Sequence, residues 1–271
     1  MVMQIIDGRK AREHYTALLQ KRIKELAFTP CLAIIQVGNR ADSDSFIKAK
    51  KSFAKKIGVK EIHINCDEKV TQDELLEIIK KYNEDKTVQG IIVQLPLPSH
   101  LDSEIIINSI DSKKDVDGLT RDTSFIPATA RGISELLDFY EIDLSGKKVC
   151  VVGRSKLVGT PIANMCRKRG SIVTVCHSQT EDMERETRKA GILIVAIGKA
   201  NFINEKYVSN GQIVIDVGIT RGDDRLIGDV DFEKVKDIVS MITPVPGGVG
   251  QMTVLALFEN LVDACYTSIH E

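Results

Sequence analysis

Apolar residues along this chain follow two alternating patterns. CLAIIQVG (Cys31–Gly38) is a short, nearly unbroken apolar run, and GIIVQLPLP (Gly90–Pro98) is another. Runs of this kind predict strands covered on both faces. KEIHINC, between them, reads as a further strand. In SDSFIKAKKSFAKKIG (Ser43–Gly58), by contrast, Phe46, Ile47, Phe53, Ala54 and Ile57 recur at helical spacing, and the segment stops at a glycine. Thr71 and Glu74 form a T-x-x-E capping box that opens the helical stretch LLEIIKKY. The prolines of LPLP cannot continue a central ladder, so the third strand is broken there.

The alternation resumes further on. After Pro127 comes the amphipathic stretch ISELLDFYEI, ending before Ser145-Gly146. KKVCVVG (Lys147–Gly153), SIVTVCHS, ILIVAIG and QIVIDVGI then read as strands separated by mostly polar segments. ITPVPGGVGQMT precedes a last helix, VLALFENLVDACY. Strands alternating with helices build parallel sheets. The chain is therefore expected to form two α/β domains, with the boundary in the region 118–146. Residues 1–118 are assigned to the first. Residues 119–251 hold a connecting helix and the second, and a C-terminal helix of about 252–271 returns to pack on the first.

Composition narrows the function. The 271 residues carry 37 basic and 38 acidic side chains, a net charge of −1. That balance excludes a broad basic field, so neither nucleic acid nor an anionic membrane surface is expected as a partner. No apolar run approaches the roughly 18–20 residues that span a bilayer. The N-terminal MVMQIIDGRKAREHY turns charged too soon for a secretory signal. Six cysteines without a CxxC pair read as reduced, buried thiols, which points to a cytoplasmic location. The five histidines are scattered, and no metal site is expected.

Lys147–Pro161, KKVCVVGRSKLVGTP, joins an apolar strand to a glycine turn and then a helix expected from about Val158. Such a turn lets backbone N–H groups approach a pyrophosphate while the helix N-terminus adds favourable partial charge. The glycines, Gly153 and Gly159, lack the G-x-G-x-x-G spacing, so a purely structural turn is the competing reading. The next strand ends in His177, Ser178, Gln179 and Thr180, without the carboxylate that NAD sites place on the ribose. Arg154 follows the turn glycine, and a guanidinium there suits a 2′-phosphate. NADP is therefore expected in preference to NAD.

A second group of polar residues stands in the first block. Lys50 lies four residues after Phe46, so the two share a helix face. Gln94 interrupts an apolar strand just before LPLP, and Asp115 and Asp117 follow in KKDVDGL. An amine, an amide and a carboxylate around a cleft can orient a polar heterocycle and manage protons. Taken singly, Lys50 reads as one residue of a solvated lysine-rich helix and Asp117 as a turn cap. Gln94 needs partners if buried.

Together, GIIVQLPLP, KDVDGL, VVGRSKLVGTP, TVCHSQT, VIDVGI, GDVDF and ITPVPGGVGQMT resemble the bifunctional methylenetetrahydrofolate dehydrogenase/methenyltetrahydrofolate cyclohydrolase family over nearly the whole chain. The resemblance implies an N-terminal folate-binding α/β domain, a Rossmann-type NAD(P)-binding domain, an interdomain cleft and a homodimer. It implies a tetrahydrofolate derivative as substrate, oxidised with NADP and then hydrolysed. By resemblance, Lys50 matches the catalytic lysine, Gln94 the glutamine bonded to it and Asp117 the aspartate at the pterin edge. Pro246, Gly247 and Gly248 match the loop closing over folate. Arg154, Ser155, His177 and Ser178 match the cofactor's phosphate and ribose contacts, beside the Gly153 and Gly159 turn, and Gly218 and Ile219 a strand end near the nicotinamide. Thr253 falls where the last motif is expected to open the C-terminal helix.

The departures bear on activity. Phe46 stands where the family has a tyrosine, keeping an aromatic face without the hydroxyl. The stretch Asp117–Thr129 is shorter than usual, and Pro127-Ala128-Thr129-Ala130 replaces P-C-T-P. Thr220 and Gln251 replace an asparagine and a proline. A dehydrogenase with weak or no cyclohydrolase activity is therefore a second reading, and a folate- or nucleotide-binding protein without turnover a third.

Overall fold

The computed structural model of the protein describes residues 3–222 and 225–269. In chain order it runs β1 (Gln4–Ile5), α1 (Gly8–Lys24), β2 (Cys31–Val37), α2 (Ala41–Ile57), β3 (Lys60–Cys66), α3 (Gln72–Glu84), β4 (Gly90–Val93), α4 (Ser103–Asn108) and α5 (Ala128–Phe139). It continues with β5 (Lys148–Val152), α6 (Gly159–Lys168), β6 (Ile172–Cys176), α7 (Met183–Arg188), β7 (Ile192–Val195), β8 (Ile213–Asp216), β9 (Thr220–Arg221) and β10 (Leu226–Ile227). The last elements are α8 (Phe232–Val235), β11 (Met241–Ile242) and α9 (Val249–Ile269).

The chain divides into two compact units, His14–Ala128 with Val254–Glu271, and Met1–Glu13 with Thr129–Thr253. This differs from the expected division. Residues 1–13 group with the second unit, because β1 extends that unit's sheet by pairing in parallel with β11. Residues 119–128 group with the first, where Ala128 N–H donates to Asp117 O at 3.2 Å. The helix expected to begin near residue 252 starts at Val249, so Thr253 lies inside it, its hydroxyl donating to Val249 O at 3.4 Å. His270 and Glu271, the end of that expected helix, lie outside the described residues.

The unit of His14–Ala128 is built on a three-stranded parallel sheet in the order β3-β2-β4. Every residue of the central CLAIIQV strand is buried, as a strand covered on both faces requires. Cys31, Ala33, Ile35 and Val37 face Leu75 and Ile79 of α3 and Ile106 of α4. Gly90, paired with Leu32, faces the other way, and a Cβ there would stand 2.7 Å from Leu261 Cδ1 of α9. On that side the Phe53 and Phe258 rings meet at 5.4 Å. Thr71 and Glu74 close the expected capping box, and Gly58 ends α2 with φ 80°. The third strand stops at Val93, shorter than the GIIVQLPLP run, since the prolines beyond have no N–H to extend the ladder.

The other unit holds six parallel strands in the order β1-β11-β8-β7-β5-β6. From β5 the chain goes to β6 on one side, then crosses to β7 on the other. The carboxyl ends of β5 and β7 therefore part at a topological switch point, where ligands of open α/β sheets bind. Cys150, Val152, Leu193, Val195, Val214 and Ile242 fill its core. The six cysteines are free thiols, five of them buried. Among the described residues, no helix is long and apolar enough to cross a membrane, and no cluster of ligands could hold a metal ion.

Candidate functional site

The lysine group lies at the carboxyl end of the three-stranded sheet. Strand β2 has β3 on one side and β4 on the other, so this sheet too has a switch point. Gln94 directly follows β4, and α2 follows β2, which is how the topology brings Gln94 to Lys50. Lys50 Nζ donates to Gln94 Oε1 at 3.0 Å. Gln94 Nε2 donates to Leu95 O at 2.8 Å, and its backbone N–H donates to Ile35 O at 2.8 Å. With the amide nitrogen turned to Leu95, the oxygen is left to face the amine. Lys48, Lys55 and Lys56 of the same helix are exposed, whereas Lys50 is half-buried. The solvated-helix reading therefore holds for its neighbours and not for Lys50.

Asp117 is held in place by the residues around it. Asp115, 1% exposed, accepts from Gly118 N–H at 3.0 Å and Thr120 N–H at 2.7 Å, which closes the loop. Gly118 has φ 74°, and a Cβ there would lie 2.8 Å from the Pro127 backbone. Asn260 of α9 clamps both ends of the stretch, donating to Val116 O at 2.8 Å and Ile126 O at 3.0 Å. Asp115 is thus the turn cap, and among the described residues no hydrogen bond engages the Asp117 carboxylate. Burial lowers the proton affinity of Lys50, with Asp117 opposing it. Burial raises that of Asp117, with Lys50 opposing and Asp115 adding to the rise. Both groups are drawn towards their neutral forms. Phe46, one turn before Lys50, is 48% exposed and offers a ring face.

A surface depression of about 740 Å³ lies along α2 and β3, lined by Gln36, Asp44, Lys48, Lys51, Glu61 and His63 among others. It includes none of the expected site residues. Gln36, 2% exposed, binds Asp44 at 2.7 Å and His63 at 2.9 Å, so its polar groups satisfy one another.

In the other unit, Gly153 stands at the switch point. It has φ 125°, and a Cβ would lie 2.2 Å from Ala196 O beyond β7. A Cβ on Gly159 would lie 2.3 Å from Gly153 O. Both positions demand glycine, and the bare turn before α6 fits the close approach of a pyrophosphate. Ser155 Oγ accepts from Val158 and Gly159 N–H, both at 3.2 Å, so it caps the turn while its O–H remains a donor. Arg154 is exposed and donates to Gln179 Oε1 at 3.2 Å, a partner the sequence reading did not assign. His177 N–H donates to Thr180 Oγ1 at 2.9 Å, and Ser178 is exposed. Gly218 is buried just after β8, and Ile219 is 42% exposed.

Pro246, Gly247 and Gly248 belong to this same unit rather than to that of Lys50. Gly8 N–H donates to Gly247 O at 2.9 Å, and a Cβ on Gly247 (φ 115°) would lie 3.4 Å from Arg9 Nη2. The start of α1 therefore holds the loop, and Gly8 just before a charged helix was its sequence signal. Gln251, in place of proline, accepts from Arg12 Nη1 at 3.0 Å.

Two parallel α/β units, one with a glycine turn at its switch point and one with a paired lysine and glutamine, define a two-domain nucleotide-cofactor enzyme class. Within that class the chain belongs to the tetrahydrofolate dehydrogenase/cyclohydrolase family. Residues 6–117 match the family's catalytic domain, and residues 127–269 match its NAD(P)-binding domain. The chain is 44% identical to the bifunctional protein FolD of Bacillus licheniformis, over 99% of each chain. The crystal structure of the bifunctional enzyme FolD from Campylobacter jejuni is similar with TM-score 0.95 and 40% identity, covering 98% of this chain and 99% of that one. The Trypanosoma brucei enzyme, complexed with NADP cofactor and inhibitor, has TM-score 0.94 and 31% identity, with 99% of each chain covered.

Proposed function

We propose that this protein oxidises 5,10-methylenetetrahydrofolate to 5,10-methenyltetrahydrofolate with NADP, and hydrolyses that product to 10-formyltetrahydrofolate. The observation that carries the reading is the bond between Lys50 and Gln94 beside an Asp117 carboxylate left open to a ligand. In this reading Asp117 accepts hydrogen bonds from the pterin edge, Phe46 stacks on a folate ring, and Pro246, Gly247 and Gly248 cover the substrate. The turn of Gly153 and Gly159 takes the pyrophosphate, and Arg154 and Ser155 take phosphate oxygens. His177 and Ser178 face the ribose, and Gly218 and Ile219 the nicotinamide end. NADP, when bound, supplies the acceptor for the hydride.

The oxidation leaves a resonance-stabilised cation on the folate, so it requires positioning rather than a strong base. The hydrolysis requires proton movement. As water adds to the methenyl carbon, the free amine of Lys50 takes a proton from it. The lysine then returns a proton to the folate nitrogen as the ring C–N bond breaks, and the adduct's hydroxyl gives up its proton as the formyl C=O forms. Gln94 suits this role because a neutral amide holds the amine without the opposite charge that would keep it protonated.

A paired assay tests the reading: methenyl-tetrahydrofolate formation with NADP and with NAD, and hydrolysis of supplied methenyl-tetrahydrofolate above the nonenzymatic background. Lys50→Met should abolish hydrolysis and affect oxidation less. Both activities surviving at normal rates would remove Lys50 from the mechanism. Oxidation without hydrolysis in the unaltered protein would favour the second reading, in which Phe46 lacks a hydroxyl the hydrolysis needs. Resemblance to the family also supports a cytoplasmic homodimer with no nucleic-acid or membrane partner.

A further inference from the structure

Two carboxylates lie beneath the carboxyl ends of β7 and β8, and the mechanism above does not use them. Asp216, the last residue of β8, is 3% exposed, and Asp229, two residues before Asp231 at the start of α8, is 0% exposed. Asp216 Oδ1 accepts from Gly218 N–H at 2.9 Å and Asp229 N–H at 3.0 Å, and its Oδ2 accepts from Val230 N–H at 3.0 Å. Asp216 N–H donates to Thr243 Oγ1 at 2.7 Å. Asp229 Oδ2 accepts from Ile197 and Gly198 N–H, at 2.7 and 2.9 Å, in the turn after β7. Asp229 Oδ1 is buried and, among the described residues, without a partner. It lies against Gly218, where a Cβ would stand 2.3 Å from it. A Cβ on Gly228 would stand 1.9 Å from Asp216 Oδ2. Two glycines thus let the carboxylates approach the backbone at the strand ends.

Holding the turns together does not account for this arrangement. An asparagine at 229 could accept the same two N–H bonds, and the group then left unpaired would be a neutral NH2 instead of a charged oxygen, which is less costly. Such an orphan calls for an explanation other than structure. We infer that Asp216 and Asp229 form an anionic floor that favours the oxidised, positively charged nicotinamide over the reduced, neutral one. This rests on the reading that NADP lies along these strand ends with its nicotinamide at Gly218 and Ile219. Fixed negative charge in a water-poor setting attracts a cationic ring and has little hold on a neutral one. It therefore favours the ligand form that accepts a hydride. Burial pushes the Asp216 carboxyl up to about 7, against the pull of its three N–H donors, with the Asp229 charge adding to the rise. The groups facing Asp216 are those three N–H donors, the Thr243 hydroxyl and the Asp229 carboxylate.

The test is equilibrium binding of NADP⁺ and of NADPH, measured separately, to the full chain and to Asp229→Asn. Asparagine keeps an oxygen for Ile197 and Gly198 and removes one charge. NADP⁺ affinity should fall about tenfold or more, the scale of a unit charge within about 12 Å at an effective dielectric of about 20, and NADPH affinity much less. Equal losses, or none, overturn the inference. A second measurement needs no variant: the ratio of the two affinities across about pH 6 to 8.5. As pH falls through about 7, Asp216 takes up a proton and NADP⁺ should weaken relative to NADPH. The cofactor's 2′-phosphate, titrating near about 6, does so in both forms and cancels in the ratio. A flat ratio overturns the inference. Failure of both forms to bind would overturn the functional reading as well, so the two failures are distinct.

Discussion

Gln94→Glu changes the charge facing Lys50 while leaving its shape almost intact. In the native protein a neutral carbonyl oxygen lies 3.0 Å from Lys50 Nζ; in the variant a carboxylate oxygen would occupy that place. Coulomb's law at this distance, with an effective dielectric of about 20, gives about 5 kcal/mol, an upper limit that solvent around a half-buried amine reduces. Carboxylates next to a cation move proton affinity by about 1–3 pH units. The sign is fixed by chemistry. Burial favours the free amine of Lys50, and a carboxylate partner favours the ammonium. At a pH below the native midpoint the free-amine fraction, and with it hydrolysis of methenyl-tetrahydrofolate, should fall about 10- to 1,000-fold. Between the native and the variant midpoint, raising the pH should close the deficit by about tenfold per unit until the native rate is reached.

The assay is the initial rate of hydrolysis above background at several pH values, with oxidation measured alongside. Oxidation should change little, because it takes no proton from the amine. An unchanged hydrolysis rate at every pH would refute the role of Lys50 as a base. A loss of the same size from below the native midpoint to above the variant's would refute it too, since that pattern reports displaced geometry instead of protonation.

Arg154→Ala should lower kcat/KM with NADP about tenfold or more and leave NAD nearly unaffected, since it removes a charge-assisted contact that only a 2′-phosphate can make. Steady-state kinetics with both cofactors measures this, and an unchanged preference would discard the assigned role. Asn260→Ala strands the carbonyls of Val116 and Ile126, at a cost of about 1–3 kcal/mol readable in urea unfolding. The same variant should raise the KM for folate in both reactions, because it loosens the loop that carries Asp117.

The legible parts of the sequence were those where one local rule decides. CLAIIQV had to be a doubly covered strand, T-x-x-E had to cap α3, and Gly153 had to sit where a strand turns into a helix. Long-range pairing left no such mark. Strands β1 and β11 are two residues each, too short for a period of two to register, and they exist because each pairs with an existing sheet edge. Helix α1 was missed because GRKAREHYTALLQKRIK is rich in charge, with only Gly8, Ala11, Thr16 and Leu19 buried. The grouping of residues 1–13 left no mark for the same reason, since they join their unit through partners over two hundred positions later, β1 with β11, Gly8 with Gly247 and Arg12 with Gln251. The site's first members, Lys50, Gln94 and Asp117, were legible as residue types out of place. Their supports, Asp115 and Asn260, were not, because a buried cap and a buried clamp look like any other polar residue until the loop they hold has been built.

In the proposed mechanism the Lys50 environment links the two reactions. Burial alone draws the amine towards its free form, and Asp117 pulls it back. Before oxidation the folate is neutral at the reacting carbon, and nothing shifts that balance. Oxidation places a positive charge on the methenyl bridge, and a cation beside an ammonium favours loss of its proton. In the proposed mechanism the product of the first reaction therefore adds to the bias towards the free amine that the second requires. Hydrolysis removes the charge, and with it that added push towards the free amine. A glutamate at position 94 would override this coupling by holding the proton throughout, whereas glutamine supplies a hydrogen-bond acceptor and leaves the charge on the substrate to decide. The choice of amide over acid at this one position makes the lysine responsive to the state of the folate it serves.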